Sequence, residues 1–152
     1  MNSPATLARA GIAERIPHSG SMCLLDTLTA WDAGAIDCLA SGHTAADHPL
    51  RGPQGLLSVC AIEYAAQAMA LHGALCAAPG SEPKPGFLAV ARQVNLHVGR
   101  LDDVPGPLGV RAVLVAGDVH QALYRFEVRD GPGRLLVDGR ATVVLNTPLV
   151  AP

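Results

Sequence analysis

The longest apolar run of the chain spans residues 56–76, with Glu63, Gln67 and His72 among its few polar positions. At 1.5 Å per residue, a helix of this length extends roughly 30 Å, enough to cross a small domain or a bilayer. A helix that is apolar on nearly all sides is either buried in a fold or spans a membrane. A carboxylate inside a membrane costs at least ~2.5 kcal/mol, and the flanking segments lack an aromatic belt. We therefore predict a helix buried inside a protein fold, and no membrane contact.

Shorter apolar segments with strand character flank this helix, separated by turns rich in Gly and Pro. Strands are predicted over residues 22–31 and 35–43 before the helix, and over 87–98, 108–118, 122–130 and 134–145 after it. Strands joined by such short turns pair in antiparallel fashion. Because no strand alternates with a helix, the pattern predicts an α+β fold, in which a curved antiparallel sheet wraps around one long central helix.

The composition is that of a small globular protein. The chain has 152 residues, 49% of them hydrophobic, with a formal net charge of −2. This length predicts one domain over residues 1–152, and without a basic block nucleic acid is not an expected partner. The N-terminus lacks a continuous apolar run behind a basic start, so we expect no signal peptide and a cytoplasmic protein. The four cysteines are scattered without a C-x-x-C pair, which argues against a disulfide framework.

Glu63 is the polar residue of the helix that most needs an explanation. Glu63 and Gln67 are four residues apart and share one helix face, and Ala66, Ala70 and Ala74 lie near that face. Small side chains beside a carboxylate leave room for a molecule to lie along the helix. A desolvated carboxyl group holds its proton more tightly, which suits a general acid. The alternative is a structural carboxylate that pairs with an arginine or is capped by backbone donors.

Histidines before the helix are the candidates for a base. His43, Asp47 and His48 lie in a polar, turn-rich loop, the kind of segment that presents a catalytic group against a rigid element. The same residues suggest a metal site only weakly, because no third ligand is obvious, and no metal is predicted. For His43 alone, a solvated loop histidine is the simpler interpretation. We interpret His18 as a turn-capping residue and His72 as a hydrogen-bonded core residue.

Two stretches together resemble a known family. “IPHSGSMCLLD” (16–26) is similar to the opening of the 3-hydroxyacyl-acyl-carrier-protein dehydratases, where a Leu-Pro-His segment leads into an apolar strand that ends in Asp. “DHPLRGPQGLLSVCAIEYAAQAMA” (47–70) resembles their active-site segment, a loop histidine followed by a Pro-Gly turn and a helix carrying Glu, Ala and Gln. The nearest likeness is to the dehydratases of aryl-polyene synthesis. The resemblance covers about 16–145 and implies the hotdog fold, with no cofactor.

Carried over to this chain, the family motif implies two catalytic residues. Glu63 matches the carboxylate of the helix, and His48 is the best match for the loop histidine. Leu57 and Ser58 stand where the family has Pro-Gly at the helix start, and Gln67 matches the glutamine one turn beyond the carboxylate. Leu57, Ser58 and Gln67 are therefore the predicted substrate-binding residues.

The chain departs from the family pattern in two places. His48 stands fifteen residues before Glu63, one more than is usual, which one inserted loop residue would absorb. His43 is therefore kept as the alternative base, with His18 as a more remote one. A Leu-Ser pair in place of Pro-Gly removes a fixed φ and a flexible position at the helix start.

The resemblance implies dehydration of a 3-hydroxyacyl thioester to the trans-2-enoyl thioester. The loop histidine would remove the α-proton, Glu63 would protonate the departing hydroxyl, and the Ser58 N–H would stabilise charge on the thioester oxygen. The acyl group would be bound to acyl carrier protein or coenzyme A. The family's site forms between two subunits, which implies a homodimer or higher oligomer. Arg92, Arg100 and Arg111 are candidates for a basic patch that binds an acidic carrier.

Two other functions fit the same pattern. In a hotdog acyl thioesterase, Glu63 would activate water or attack the thioester, the histidine would be dispensable and a free thiol would appear. In a non-catalytic subunit, the displaced histidine and the missing Pro-Gly would leave the chain as a structural or acyl-binding partner of an active dehydratase in a hetero-oligomer. Such a subunit is expected to show activity only when that partner is added.

Overall fold

The computed structural model describes residues 3–77 and 86–145 of the chain. The predicted elements follow one another in the expected order, preceded by a short strand and helix near the N-terminus. The strands are β1 Leu7–Ala8, β2 Thr27–Asp32, β3 Ala35–Ala40, β4 Gly86–Leu96, β5 Leu108–Gly117, β6 Gln121–Arg129 and β7 Leu135–Leu145, and the helices are α1 Arg9–Ala13 and α2 Ala61–Cys76.

The strands form a single antiparallel sheet in the order β1-β2-β3-β5-β6-β7-β4. Along β6, buried side chains alternate with more exposed ones, as expected for a sheet with one face on the core. The buried face of the sheet packs against α2, which contacts β3, β4, β5 and β6. The predicted α+β fold, a sheet around one long helix, is confirmed.

The two strands before the helix are shorter than predicted. β2 begins at Thr27 rather than at 22, because Gly20–Met22 forms a 3-10 turn that starts with φ +58° at Gly20. Glycine adopts this left-handed conformation without steric cost. β3 ends at Ala40, because a second 3-10 turn follows over Gly42–Thr44. Both turns replace strand residues beside loop histidines, His18 before the first turn and His43 within the second.

The central helix starts later than predicted, because the residues before it pair with another segment. Leu56 accepts a backbone hydrogen bond from Leu101, and Ser58–Cys60 is a 3-10 turn before α2 begins at Ala61. Its end at Cys76 agrees with the prediction. The Pro- and Gly-rich turn predicted after the helix falls almost entirely on residues 78–85, which lie outside the described residues.

Ser58–Cys76 is also long and apolar enough to cross a membrane, with a mean hydropathy of 1.2. Half of that stretch is buried inside the fold. The core helix of a folded domain meets the same criteria of length and composition. Burial under the sheet therefore accounts for the apolar character of α2.

β4 forms one edge of the sheet and pairs with β7 on its other side. Nearly all of its residues are exposed. The large apolar ones among them are Phe87, Leu88, Val90 and Leu96. Near the middle of β4 the register slips, and Gln93 adopts φ +52°. A long apolar edge of this kind presents unpaired N–H and C=O groups to which another strand can bind.

Candidate active site

The loop before α2 is fixed to the fold by one buried carboxylate. The side chain of Asp102 is 2% exposed, and its Oδ1 accepts the Leu56 N–H at 2.8 Å. Arg51 and Arg100 form ion pairs with the same carboxylate. The Arg100 guanidinium, helped by the Leu56 N–H, holds the pKa of Asp102 well below its usual range. Gly55 has φ +94°, and a Cβ there would lie 2.6 Å from Asp102 Oδ1, so only glycine fits.

His48 is buried, and both of its ring nitrogens have protein partners. Nδ1 accepts the Leu50 N–H at 3.1 Å, which assigns the proton of the neutral ring to Nε2. Nε2 then donates to Tyr64 Oη at 2.9 Å, and Tyr64 is fully buried. Burial, with smaller contributions from His43 and Arg51, lowers the pKa of His48. In this conformation His48 is a neutral hydrogen-bond donor without a free lone pair.

His43 is enclosed in the core. It is 1% exposed, and its Nε2 donates to the Val104 carbonyl oxygen at 2.9 Å. Its Nδ1 is buried without a hydrogen-bond partner among residues 3–77 and 86–145. The solvated loop histidine suggested by the sequence is therefore wrong for His43, because Val104 holds the ring inside. In the same ranges, no group of three or more His, Cys, Asp and Glu side chains could hold a metal ion.

Glu63 lies in the first turn of α2 and is partly accessible, with 33% of its side chain exposed. Its Oε1 accepts a hydrogen bond from His18 Nε2 at 2.9 Å. The structure thus differs from both sequence interpretations of Glu63, since the carboxylate is neither fully desolvated nor paired with an arginine. His18, interpreted as a turn cap, is instead the partner of Glu63. An imidazole and a carboxylate in contact can hold a proton between them and pass it to a bound molecule.

Gln67 shares the helix face of Glu63 but is fully buried. Its Oε1 accepts the Leu24 N–H at 2.9 Å, and its Nε2 donates to the Met22 carbonyl oxygen at 2.7 Å. Nε2 also lies 3.4 Å from Glu63 Oε1. The amide group of Gln67 therefore ties α2 to the segment that carries His18. Direct contact of Gln67 with a substrate stays a prediction.

The entry to α2 carries the other two predicted substrate-binding residues. Leu57 is 43% exposed and lines a cavity of about 520 Å³ with Val59 and Leu96. Ser58 is buried, and its N–H donates to the Gly99 carbonyl oxygen at 3.0 Å. The Ser58 N–H is thus not the free helix-terminal donor that the sequence suggested, because the segment around Gly99 pairs with the helix entry.

A stripe of small side chains runs along α2 from Glu63. Ala66, Ala70 and Ala74 are only partly buried, unlike most of the helix. Near Ala70 and Ala74 the stripe meets a cavity of about 400 Å³, bounded by residues 14–17 and the ends of β4, β6 and β7. From Glu63 to Ala74 the helix rises about 16 Å. This path has the size and apolar character that an acyl chain needs.

Two of the three arginines proposed for a basic patch have intramolecular partners. Arg100 pairs with Asp102, and Arg111 Nη1 lies 2.6 Å from Asp37 Oδ2. Arg92 is exposed and forms no ion pair among the described residues. Among these three candidates, Arg92 is thus the one whose charge is not already paired within the described residues, and their role in binding a carrier stays a prediction.

Sequence reasoning missed Tyr64, the partner of His48. The available signal was a phenol inside a run of alanines, since a buried tyrosine hydroxyl nearly always finds a hydrogen-bond partner. His72 is the hydrogen-bonded core residue that the sequence predicted. Its Nε2 donates to the Asp32 carbonyl oxygen at 2.8 Å, and its Nδ1 accepts from Tyr124 Oη at 2.8 Å. Two Tyr–His pairs therefore each have one member on α2, and the His48–Tyr64 pair belongs to the candidate site.

A family model described as ApeP-like, ApeP dehydratase, matches residues 10–149 of the chain. The match extends over both stretches that carry the resemblance and over the whole sheet after α2. Among curated proteins, no sequence matches the chain.

Solved structures share the fold over most of the chain. The dehydratase heterocomplex ApeI:P from Xenorhabdus doucetiae matches with a TM-score of 0.76 and 21% identity, covering 90% of this chain and 91% of that chain. A thioesterase from Haemophilus influenzae matches with a TM-score of 0.66 and 17% identity, covering 94% and 93%. A hypothetical thioesterase with coenzyme A from Streptococcus pneumoniae gives a TM-score of 0.53 and 13% identity, covering 78% and 83%. At these identities the structures establish the hotdog fold.

Proposed function

Because the chain belongs to the ApeP-like dehydratase family, we propose that it dehydrates a 3-hydroxyacyl thioester of acyl carrier protein to the trans-2-enoyl thioester in the cytoplasm. The observation that carries this proposal is the position of Glu63. Its carboxylate is accessible, contacts His18, and stands at the head of the stripe of small residues on α2. A coenzyme A thioester of the same acyl group is the alternative substrate.

The reaction removes a proton from the carbon next to the thioester carbonyl and expels the hydroxyl from the following carbon. It needs a base for the first event and an acid for the second. Glu63 and His18 together supply the acid once the pair has taken up one proton from solvent, because that proton can pass to the departing hydroxyl, which leaves as water. The positive end of the α2 dipole stabilises the negative charge that develops on the thioester oxygen. The acyl tail lies along Ala66 and Ala70.

His48 is the proposed base, acting in an assembly of two subunits. Its lowered pKa keeps the ring neutral at neutral pH, as a base requires. To accept a proton at Nε2, the ring must move its own proton to Nδ1 and release Leu50 and Tyr64. We infer that this change accompanies the packing of a second hotdog subunit over α2 and the open edge of β4. Glu63 of one subunit then faces the loop histidine of the other.

A second candidate function is that of a partner subunit without its own base. The observation in its favour is that His48 and the Ser58 N–H are both occupied within the chain, so that Glu63 alone is accessible. In that arrangement the chain supplies the carboxylate face, and a different hotdog subunit supplies the loop histidine. The ApeI:P structure that resembles this chain is a dehydratase heterocomplex.

The experiment uses the purified full chain, alone and with a second hotdog dehydratase subunit, and a carrier protein loaded with a 3-hydroxyacyl group. Intact mass spectrometry follows the loss of one water from the acyl chain. The variants are Glu63→Gln, His48→Ala and His43→Ala. His120→Ala serves as the matched control, because His120 lies in an exposed turn between β5 and β6.

The outcomes separate the candidate functions. Turnover by the chain alone that is lost in Glu63→Gln and His48→Ala, and kept in His120→Ala, supports the complete dehydratase. Turnover only with the second subunit, and unaffected by His48→Ala, identifies a partner subunit. Release of the free carrier thiol identifies a thioesterase. No change of mass under any condition contradicts all three.

A further inference from the structure

The outer face of the sheet carries two neighbouring rows of charged side chains that differ in how they are paired. The first row crosses β3, β5, β6 and β7 and mixes both signs. In it Asp37 pairs with Arg111, and Asp138 accepts hydrogen bonds from His97 at 2.7 Å and Asn95 at 3.0 Å. Its carboxylates are therefore neutralised or satisfied within the sheet.

The second row consists of arginines alone. Arg125 in β6 stands directly opposite Arg140 in β7, and Arg140 stands directly opposite Arg92 in β4. All three side chains are exposed. None of them forms a hydrogen bond or an ion pair with the part of the chain that the structure describes. The fold thus presents three adjacent, uncompensated guanidinium groups, named here the arginine row.

Such a row costs stability, because like charges directly opposite on neighbouring strands repel each other across about 5 Å. Arginine cannot relieve the repulsion by losing its proton. Its planar fork of donors matches carboxylate groups, so the row is suited to bind several carboxylates at once. The net charge of the chain is −2, so attraction for an acidic partner requires a local positive cluster such as this one.

The protein surface next to the arginine row is concave. A cavity of about 800 Å³ opens between β4, β5, β6 and β7, and Arg92 and Arg140 form part of its wall together with Gln121 and Asp118. Asp118 adds one negative charge to this wall, but its Oδ1 accepts the backbone N–H groups of His120 and Gln121 in its own turn, and it forms no ion pair with an arginine of the row in the described ranges. The surface therefore combines positive charge with a recess into which a convex partner can fit.

The arginine row also lies within reach of the candidate site. Arg92 precedes Leu96 by four residues in β4, which is about 13 Å along the strand. Leu96 lines the cavity at the entry to α2 together with Leu57 and Val59. The bulge between Arg92 and Asn95 places Leu96 opposite the buried Val137, on the other face of the sheet, so a flexible arm from a partner at the row reaches the helix entry around the open edge of β4.

We propose that Arg92, Arg125 and Arg140 bind the carboxylate-rich surface of the carrier protein that presents the thioester. This proposal rests on the proposed function, in which the acyl group arrives on such a carrier. It replaces Arg100 and Arg111 of the patch suggested by the sequence with Arg125 and Arg140. The cross-strand register of β6, β7 and β4 is what brings the three residues together.

The test compares three substrates with the same 3-hydroxyacyl group, on acyl carrier protein, on coenzyme A and on N-acetylcysteamine. The main variant replaces all three arginines of the row by glutamine, and Arg111→Gln on the neighbouring row is the matched control. We expect the triple variant to raise KM about ten-fold for the carrier substrate with kcat unchanged, because exposed ion pairs are individually weak but three act together. KM for the other two substrates stays the same.

Binding of the unloaded carrier to the immobilised chain gives a readout that does not depend on turnover. Loss of binding in the triple variant and at high salt, with Arg111→Gln like the wild type, supports the arginine row even where no substrate is dehydrated. Arg140→Glu provides a second variant, since a carboxylate between two arginines preserves folding and removes the attraction for acidic partners.

Three results would overturn the proposal. If the triple variant binds the carrier and has the same KM as the wild type, the arginine row does not bind the carrier, and the proposed dehydratase function is unaffected. An equal rise of KM for the coenzyme A substrate would assign the row to phosphate groups instead of protein carboxylates. Displacement of the carrier by single-stranded DNA at the same charge concentration would show an unspecific polyanion surface.

Discussion

Replacing Tyr64 by phenylalanine removes one oxygen atom from the core and, with it, the acceptor of the His48 Nε2–H. Tyr64 is 0% exposed and His48 8%, so the stranded donor has little access to water. A buried donor left without its partner costs about 1–2 kcal/mol. In a chain of 152 residues, this loss lowers Tm by roughly 2–8 °C.

Tyr124→Phe is the matched control, because it makes the same chemical change at the second Tyr–His pair. There the tyrosine is the donor, to His72 Nδ1 at 2.8 Å, and His72 lies nine residues past Glu63 on α2. We expect the two variants to lose similar amounts of stability in calorimetry. Only Tyr64→Phe should also alter the dependence of turnover on pH, because it releases His48 from its hydrogen bond.

A double-mutant cycle decides whether the His48–Tyr64 contact carries the effect. Tyr64→Phe, His48→Ala and the combined variant should show a coupling energy of about 1 kcal/mol in urea unfolding. A coupling near zero would refute the reasoning, since the orientation of His48 would then be set by Leu50 alone. An unchanged pH profile in Tyr64→Phe would remove His48 from the reaction.

Three further changes test the surroundings of the site. Gly55→Ala forces a Cβ against Asp102 at a left-handed φ and should cost about 2 kcal/mol in urea unfolding, whereas Gly52→Ala, with open space around it, should cost far less. Gln67→Met strands the buried Leu24 N–H and the partly buried Met22 carbonyl oxygen that the amide satisfies, and should lower the free energy of unfolding by about 2–4 kcal/mol; a loss below 1 kcal/mol contradicts this role. Because the pKa of His48 is lowered from 6.5, the unfolded chain binds the proton more tightly, so stability falls as pH drops through about 6.5. His48→Gln should flatten that slope in pH-dependent denaturation, and an unchanged slope would assign it to other groups.

Elements with a local apolar pattern could be predicted from the sequence within a few residues. α2 was recognisable from the length of its apolar run, and the strands after it from short apolar segments bounded by turns rich in Gly and Pro. The entry to α2 was not, since Ser58 is held by Gly99, forty-one residues further along the chain. Periodicity carries no information about such a pairing.

Side-chain partners within the site were the least predictable part. Glu63 was recognised from its motif, but its contact with His18 joins residues forty-five positions apart. The assignment of His48 as a base followed its place in the loop, whereas its tautomer depends on Leu50 and Tyr64 together. The state of a histidine is decided by the groups around both nitrogens, and these become known only with the fold.

The open edge of β4 makes the chain prone to aggregate when it is produced in a cell. β4 has eleven residues, several of them large and apolar. Its free edge can pair with any extended polypeptide, which then adds a strand to the sheet. A newly made chain with this edge exposed can associate with other copies through β4, and such edge-to-edge association leads to aggregates. Charged substitutions on this edge, such as Leu88→Lys and Val90→Lys, should therefore raise the yield of recoverable protein when the chain is produced alone.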